Sequence, residues 1–324
     1  MRRIFPLLLI LLLLCGCGGN RDAAAPEDAD RLVIFTARSA AVYDDAVREF
    51  ERRTGIWVEV HTADGALPLL EQIAAGQRCD LLLGVTPDCL SACGELFAPY
   101  APEAAADIPG AYRDSEDRWT PFSLLPVVLI YNDQLVQRNV PDSWSSLTSS
   151  AWRGRIACPD PTVSATGCTA LEAMTQALDG EAEQVLADFV RCVGDVLPTA
   201  EDVVTAVADG RCYVGVTTED LAMQAAASGL SVTVIYPREG SVVQPDCAAI
   251  IADCAHEDNA RAFIDFLLSG EVQDRLTRQY RRTVFTPPGD ASLPHALTYD
   301  PYAAGAHQAE TLDIWSSLTA EETP

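Results

Sequence analysis

The segment Leu32–Phe50, LVIFTARSAAVYDDAVREF, predicts a strand followed at once by a helix. Its first residues, LVIFT, form a β-branched and apolar run that is typical of a buried strand. Ser39 is then placed to cap a helix whose apolar residues recur on one face, and Gly55 provides the C-terminal stop. A strand joined directly to an amphipathic helix is the repeating unit of α/β folds.

This alternation of apolar strands and amphipathic helices continues along the chain. Strands are predicted at 32–36, 57–61, 80–85, 155–158, 213–217, 231–236 and within 247–252. Helices are predicted near 67–75, 167–178, 182–193, 201–208, 260–268, 272–279 and 312–318, with another beginning at Glu219. Continuous apolar strands connected by helices predict mainly parallel sheets covered on both faces, and so an α/β protein.

The length of 324 residues favours two domains, because domains of roughly 100–200 residues are usual. The stretch Trp119–Asn132 is strongly apolar, and Pro126 divides it, which suits a passage between domains. The helices at 260–268 and 272–279 are expected to return to the first domain. We therefore predict lobe 1 from residues 31–125 and 248–324, and lobe 2 from residues 126–247.

The N-terminus, MRRIFPLLLILLLLCGCGGN, has two arginines, an apolar run and then small residues. The run Ile4–Leu14 is shorter than the roughly 20 residues of a membrane-spanning helix, so residues 1–16 are predicted to be a signal peptide. Leu14-Cys15-Gly16-Cys17 resembles a bacterial lipobox, which implies lipidation of Cys17. Residues 17–30 would form a lipidated polar tether, and the protein is expected outside the cytoplasm, anchored to the membrane.

Charge and composition exclude several function classes. The formal net charge of −25 argues against nucleic acid, whose binding requires basic patches. All 22 basic residues are arginines, which excludes a P-loop lysine and a Schiff-base lysine. The four histidines lie in no HExxH pattern, no GxSxG motif occurs, and no cysteine pair beyond Cys17 has CxxC spacing. We expect no metal site, no cofactor and no enzyme activity; the alternative is an enzyme with Glu219 or Asp220 as acid or base.

Four predicted strand ends are rich in hydroxyl groups or glycine. In open parallel sheets such loops border the ligand crevice, and the following helices present free N–H groups there. Convergence of these helix starts from both lobes would suit an anion, with Arg38 as the only nearby full positive charge. Carboxylates would accept hydrogen bonds from the rest of the solute, a polar zwitterion or a phosphorylated polyol. The four loops are Thr36–Ser39, Ala63–Ala66, Thr162–Gly167 and Thr217–Asp220, and the carboxylates are Asp64, Glu219, Asp220 and Asp246.

From Leu32 to Val284 the chain resembles extracytoplasmic solute-binding proteins of ABC importers, in the ferric-iron-binding-protein-like branch. The resemblance rests on the order of these segments: LVIFTARSAAVYDDAVREFERRTGIWVEV, WTPFSLLPVVLIYN, PDSWSSLTSSAWRGRIACPDPTVSATG, DGRCYVGVTTEDLA, VIYPREGSVVQPDCAAI and ARAFIDFLLSGEVQDRL. It implies a type II periplasmic-binding-protein fold, in which two lobes close around a solute. It also implies a monomer that delivers the solute to ABC permease subunits in the membrane.

The family's iron ligands do not carry over to this sequence. Ferric binders of this branch use a tandem tyrosine pair in the second lobe, where this chain has Thr217-Thr218-Glu219-Asp220. The segments TxxD and YPxxG…PD resemble binders of phosphorylated or phosphonated organics, which we favour over ferric iron or a ferric chelate. The alternative role is a ligand receptor that feeds a sensor kinase instead of a permease. The predicted ligand-binding residues are Thr36, Arg38, Ser39, Gly65, Ala66, Ser123, Ser164, Thr166, Thr217, Thr218, Glu219, Asp220 and Asp246.

Overall fold

The computed structural model describes residues 28–63, 65–287 and 295–322, so the predicted signal peptide, Cys17 and Asp64 lie outside the described residues. The strands are β1 (Arg31–Thr36), β2 (Trp57–Thr62), β3 (Leu81–Val85), β4 (Phe97–Ala98), β5 (Thr120–Tyr131), β6 (Ile156–Pro159), β7 (Val193–Leu197), β8 (Val214–Thr218), β9 (Thr233–Ile235) and β10 (Val243–Ile251). The helices are α1 (Ala40–Thr54), α2 (Ala66–Ala74), α3 (Pro87–Ser91), α4 (Trp144–Leu147), α5 (Ala165–Ala177), α6 (Ala182–Val190), α7 (Ala200–Ala208), α8 (Glu219–Ala227), α9 (Glu257–Leu267), α10 (Gly270–Arg278) and α11 (Pro301–Glu322).

Two groups of parallel strands form the centres of the two lobes. In lobe 1, β1 pairs in parallel with β2 and β3, and in lobe 2, β6 pairs in parallel with β7 and β8. Strands β5 and β10 are antiparallel to their neighbours and join the groups in the order β2-β1-β3-β10-β5-β8-β6-β7. The predicted α/β architecture with helix-flanked, mainly parallel sheets is therefore confirmed.

The core of lobe 1 begins with the strand and helix predicted from the first segment. Strand β1 is buried from Leu32 to Thr36, and α1 contributes Phe50 to the same apolar cluster. Gly55 ends α1 in the left-handed conformation, with φ of 78°, and its N–H donates to the Glu51 carbonyl. Helix α9 packs on α1, β1 and β10 and so adds to the same core.

The core of lobe 2 surrounds β6 and β8, with Trp144 fully buried beneath them. Strand β7 was not predicted, since Val193 was expected to end the preceding helix. Its sequence, VGDVL, contains a glycine and an aspartate, and its residues alternate between partly buried and exposed. In the described sheet β7 pairs only with β6. An edge strand of this composition lacks the continuous apolar run by which the other strands are recognised.

Strand β5 runs without interruption through both lobes. Residues Thr120–Pro126 pair with β10, and residues Val127–Tyr131 pair with β8 and β9. Pro126 does not end the strand; it marks the position where the pairing partner changes, and proline has no backbone N–H to donate. The predicted lobe boundaries at 125/126 and 247/248 stay a prediction.

Helix α11 is longer than expected and contacts both lobes. A short helix was predicted at 312–318, but α11 spans Pro301–Glu322. It packs on α3 of lobe 1 and on α5 and α6 of lobe 2, where Trp315 is buried in the apolar cluster. The helix therefore does not belong to lobe 1 alone. Within the described ranges no helix has the length and apolar character needed to cross a membrane.

Candidate functional site

A cleft of about 870 Å³ lies between the two lobes. Sites that enclose small molecules commonly measure roughly 300–1,000 Å³. Among the described residues, its lining contains two arginines, Arg38 and Arg281, together with four carboxylates, and no aromatic side chain. Of the predicted site residues, Arg38, Ser39, Gly65, Ala66, Ser164, Thr166, Thr218 and Asp220 line this cleft.

Among the described helices, six have N-termini that border the cleft: α1, α2 and α3 from lobe 1, and α5, α7 and α8 from lobe 2. A helix N-terminus has free backbone N–H groups and a partial positive charge. Ser39 and Ser164 occupy the cap positions of α1 and α5, yet neither hydroxyl accepts a bond from its own helix. Thr199 does cap α7, since its hydroxyl accepts from the Asp202 N–H at 3.0 Å. The serine hydroxyls that do not cap their helices, together with the free N–H groups of a helix start, make the predicted convergence of helix starts a geometry suited to an anion.

Arg38 is held at the cleft surface by a buried carboxylate. Its Nη2 donates to Asp246 Oδ1 at 2.8 Å and its Nε to the same oxygen at 3.2 Å. The Arg38 side chain retains 21% exposure, whereas that of Asp246 is fully buried. Burial raises the pKa of the Asp246 carboxyl, but Arg38 and Arg281 outweigh that effect, so the pKa lies below its ordinary value of 3.8.

Gly84 in β3 provides the space for Arg38. Its φ is +76°, and a β-carbon there would lie 2.3 Å from Arg38 Cγ. The aliphatic part of Arg38 therefore lies against bare backbone, which fixes the direction of the guanidinium.

Arg281 is a second arginine of the site, and the sequence interpretation missed it. Its Nη1 donates to Asp246 Oδ2 at 2.6 Å and to the Ser123 hydroxyl at 3.0 Å, and its Nε lies 3.2 Å from Asp220 Oδ2. Burial lowers the pKa of this guanidinium, but Asp220 and Asp246 outweigh burial and raise it above its ordinary value. The expectation that Arg38 is the only nearby full positive charge is therefore wrong.

Three predicted hydroxyl ligands lie beneath the cleft instead of in it. The hydroxyl of Thr217 donates to the Ala200 carbonyl at 3.1 Å, and that of Thr36 accepts from the Arg38 N–H at 3.1 Å. Both residues are fully buried, as is Ser123, which is bonded to Arg281. These side chains therefore position the strand ends and the arginines.

Glu219 and Asp220 point in different directions, and each is paired with an arginine. Glu219 accepts from Arg282 Nε at 2.7 Å and from Arg282 Nη2 at 2.6 Å, and it also accepts from the Tyr236 hydroxyl. Asp220 accepts from the Thr218 hydroxyl as well as pairing with Arg281. Burial and the neighbouring Glu219 raise the pKa of Tyr236 to about 12. Of the two carboxylates only Asp220 lines the cleft, so Glu219 does not lie among the ligand-binding residues where it was predicted.

The remaining carboxylates of the cleft lie on lobe 2. Asp160 accepts from the Thr162 hydroxyl at 2.7 Å, and Asp202 from the Thr199 hydroxyl at 2.7 Å. Glu201 has a long contact, 3.4 Å, with the Ser39 hydroxyl. The lobe 2 wall therefore presents hydrogen-bond acceptors opposite Arg38.

The two lobes touch across the mouth of the cleft. A β-carbon on Gly65, whose φ is +96°, would lie 2.6 Å from the Val163 carbonyl oxygen of the opposite lobe. The Ser39–Glu201 contact also crosses the cleft. The absence of a side chain at Gly65 permits this approach of the two lobes. In the parts of the chain that the structure describes, no cluster of His, Cys, Asp or Glu side chains is arranged to hold a metal ion.

Comparison with known proteins gives a consistent result. A model of the family described as "bacterial extracellular solute-binding protein" matches residues 94–302. The probable ABC transporter periplasmic-binding protein y4fP of Sinorhizobium fredii is 25% identical over 284 residues, which cover 84% of this chain and 79% of that protein.

Solved structures share the fold at low sequence identity. The periplasmic binding protein AfuA from Actinobacillus pleuropneumoniae, solved with exogenous fructose-6-phosphate bound, is 19% identical with a TM-score of 0.82, over 90% of this chain and 98% of AfuA. Iron-bound HitA from Pseudomonas aeruginosa is 21% identical with a TM-score of 0.76, over 89% and 99% of the two chains. The predicted type II periplasmic-binding-protein fold is confirmed.

Proposed function

Because the chain belongs to the bacterial extracellular solute-binding protein family, we propose that its cleft captures a small anionic organic solute, with an organophosphate or phosphonate favoured. Proteins of this ABC-type family bind a small solute outside the cytoplasm and work with permease subunits in the membrane. The proposal concerns the solute's chemistry, the closing of the lobes around it and its delivery to the permease.

The observation that carries the proposal is the convergence of uncapped helix N-termini on Arg38. Helices α1 and α5 face the cleft from opposite lobes with cap hydroxyls that bond to neither helix. A phosphoryl group has several acceptor oxygens, and such a group would accept from these amides, these hydroxyls and the guanidinium together. The binding of fructose-6-phosphate by AfuA, which has the same fold, supports this choice of anion.

The acceptors on lobe 2 define the other end of the solute. Asp160, Glu201 and Asp202 border the cleft and have no arginine partner among the described ion pairs of that wall. Carboxylates accept from hydroxyl or ammonium groups. The solute would therefore be a phosphorylated polyol or a zwitterion, held by its anion at Arg38 and by its donors at lobe 2.

A thermal-shift screen of residues 18–324 tests the proposal. The panel contains sugar phosphates, phosphonates, inorganic phosphate, polycarboxylates and ferric citrate. A ligand at 100 times its Kd stabilises the native state by about 2.7 kcal/mol. We expect an organophosphate or phosphonate to raise the Tm, and Arg38→Ala to abolish that rise. Arg48→Ala is the matched control, because Arg48 is an exposed arginine on α1 whose partner is Asp44.

A different pattern of shifts would contradict the proposal. If only ferric citrate raises the Tm, the solute is ferric iron or its citrate chelate, and no organophosphate is bound. If an organophosphate raises the Tm equally in the wild type and in Arg38→Ala, the ligand binds elsewhere.

We also propose that the protein is a monomer anchored to the membrane by a lipid on Cys17. The lipobox-like sequence before Cys17 supports the anchor. Mass spectrometry of the mature N-terminus should find a diacylglyceryl-modified cysteine, and Cys17→Ser should release the protein from the membrane fraction. A mature chain that begins at another residue would exclude this anchor.

A further inference from the structure

Two arginines of the site share one buried carboxylate. Asp246 Oδ1 accepts from Arg38, and Asp246 Oδ2 accepts from Arg281 at 2.6 Å. The Arg281 side chain is only 3% exposed, whereas the Arg38 side chain reaches the cleft. One negative charge is therefore divided between an inner and an outer guanidinium.

Arg281 also connects the two lobes. It follows α10 in lobe 1, where it donates to Ser123 of β5. Its Nε lies 3.2 Å from Asp220, which belongs to the first turn of α8 in lobe 2. The same guanidinium thus contacts the carboxylate that holds Arg38 and a carboxylate of the opposite lobe.

The two arginines Arg38 and Arg281 and the two carboxylates that they contact form one charged group. Its charge balance explains why Arg281 must contact both carboxylates. Arg38 and Arg281 balance Asp246 and Asp220, so the group is neutral. Without Arg281 the group would carry a net negative charge next to the anion site, and Arg38 alone would neutralise Asp246. Because buried charges interact over several ångströms with little screening, this change would repel an anion bound at Arg38.

We propose that Arg281 is a positioning residue of the cleft, which frees Arg38 for the anion by sharing Asp246 and couples this state to lobe closure by pairing with Asp220. The role of Arg281 in anion binding rests on the proposed function. Its role in lobe closure applies to the ligand-free protein as well. Arg281 acts through Arg38 and Asp220 and needs no contact of its own with the solute.

The first experiment measures the Kd of inorganic phosphate, and of the phosphonate or organophosphate that raises the Tm most, by isothermal titration calorimetry. We expect Arg281→Gln to bind about tenfold more weakly or worse. Asp220→Asn should bind more tightly than the wild type, because it leaves the group with a net positive charge. The double variant Arg281→Gln/Asp220→Asn is neutral again and should return towards the wild-type affinity. A purely structural role for Arg281 would give no such rescue, since the second substitution removes a further contact.

The matched control is Arg118→Gln, which breaks an arginine pair with the buried Asp114 of lobe 1 away from the cleft. It should lower the Tm and leave the Kd unchanged. If Arg281→Gln binds as tightly as the wild type, or if the double variant binds no better than Arg281→Gln, the charge role of Arg281 is overturned while the proposed function stands.

The second experiment needs no ligand, so it remains decisive if the wild type binds none of the probes and the proposed function fails. Small-angle X-ray scattering of the ligand-free proteins should give a larger radius of gyration for Arg281→Gln than for the wild type and Arg118→Gln. Equal radii would overturn the role of Arg281 in closure.

Discussion

Gly84 lies directly beneath the side chain of Arg38, so closely that a β-carbon on Gly84 would come within 2.3 Å of Arg38 Cγ. We predict that Gly84→Ala displaces Arg38 and weakens anion binding. The positive φ of Gly84 adds a strain of about 1–2 kcal/mol to the stability loss.

Gly55→Ala is the control for this strain, because Gly55 has φ of +78° and no atom within 4 Å of its would-be β-carbon. Urea unfolding should show a loss of stability in both variants, and calorimetry should show a loss of affinity only in Gly84→Ala. Equal affinities would mean that Arg38 does not depend on Gly84.

The hydroxyl of Ser164 is predicted to serve the solute and not the helix. Ser164→Ala should therefore change the free energy of unfolding by less than about 0.5 kcal/mol and weaken solute binding. Thr199→Ala should cost about 1 kcal/mol of stability, because this hydroxyl does cap its helix. Chemical denaturation of both variants, with and without solute, would separate the two roles. A Ser164→Ala variant that is unstable but binds normally would refute the assignment.

The approach of Gly65 to Val163 makes the closed state sensitive to a single methyl group. Gly65→Ala should favour the open state, because its β-carbon would lie 2.6 Å from the Val163 carbonyl oxygen. Gly76→Ala, at φ of +84° and with open space around the β-carbon, introduces similar strain without that contact. We expect a larger radius of gyration in the solute-bound state, and weaker binding, only for Gly65→Ala. The same radius for both variants would argue that closure leaves room at Gly65.

Trp315 is predicted to be important for the stability of lobe 2. It is 3% exposed in the apolar cluster of that lobe, so Trp315→Ala should lower the free energy of unfolding by about 3–5 kcal/mol. Trp57 is 52% exposed, and Trp57→Ala should change the free energy by less than about 0.5 kcal/mol. Urea denaturation compares the two. A small effect at Trp315 would show that α11 is not firmly packed.

The pH dependence of stability should include a contribution from Asp246. Its pKa in the folded protein lies below 3.8, so the ionised form contributes stability above that pH, and this contribution is lost as the pH falls from 3.8 towards the folded value. Asp246→Asn should lower the free energy of unfolding by about 3 kcal/mol near neutral pH, because two arginines lose their shared partner. It should also make the decline below about pH 4 shallower than in the wild type. An unchanged slope in urea titrations would contradict the shifted pKa.

The sequence predicted the strands and helices where local patterns determine them. Strand β1, helix α1 and the stop at Gly55 follow from apolar periodicity and from the conformational freedom of glycine, and the structure agrees. Helix α11 was underestimated because its apolar residues follow no single face, as expected for a helix that packs on both lobes.

The residues that line the cleft could be predicted from the sequence, whereas the buried ion pairs beneath them could not. Loops that end strands in hydroxyl groups identified Arg38, Ser39 and Ser164, because strand ends of parallel sheets meet at one crevice. Arg281 gave no such indication, since its partners Asp220 and Asp246 are distant in sequence and an adjacent Arg281-Arg282 pair is typical of a solvated surface. The adjacent carboxylates Glu219 and Asp220 could not be separated by pattern alone, whereas the structure directs them to different arginines.

The core of lobe 1 joins residues from opposite ends of the sequence, which has a consequence for biosynthesis. Leu32 and Val284 are both fully buried in the same apolar cluster. During translation the apolar cluster that contains Leu32 and Phe50 can be completed only after β10, α9 and the segment that carries Val284 have been made. Closing so long a loop is entropically unfavourable and slow. We expect the emerging chain to remain without a finished lobe 1 until nearly all of it has been made, which leaves it in an unfolded form compatible with passage across a membrane as an extended chain.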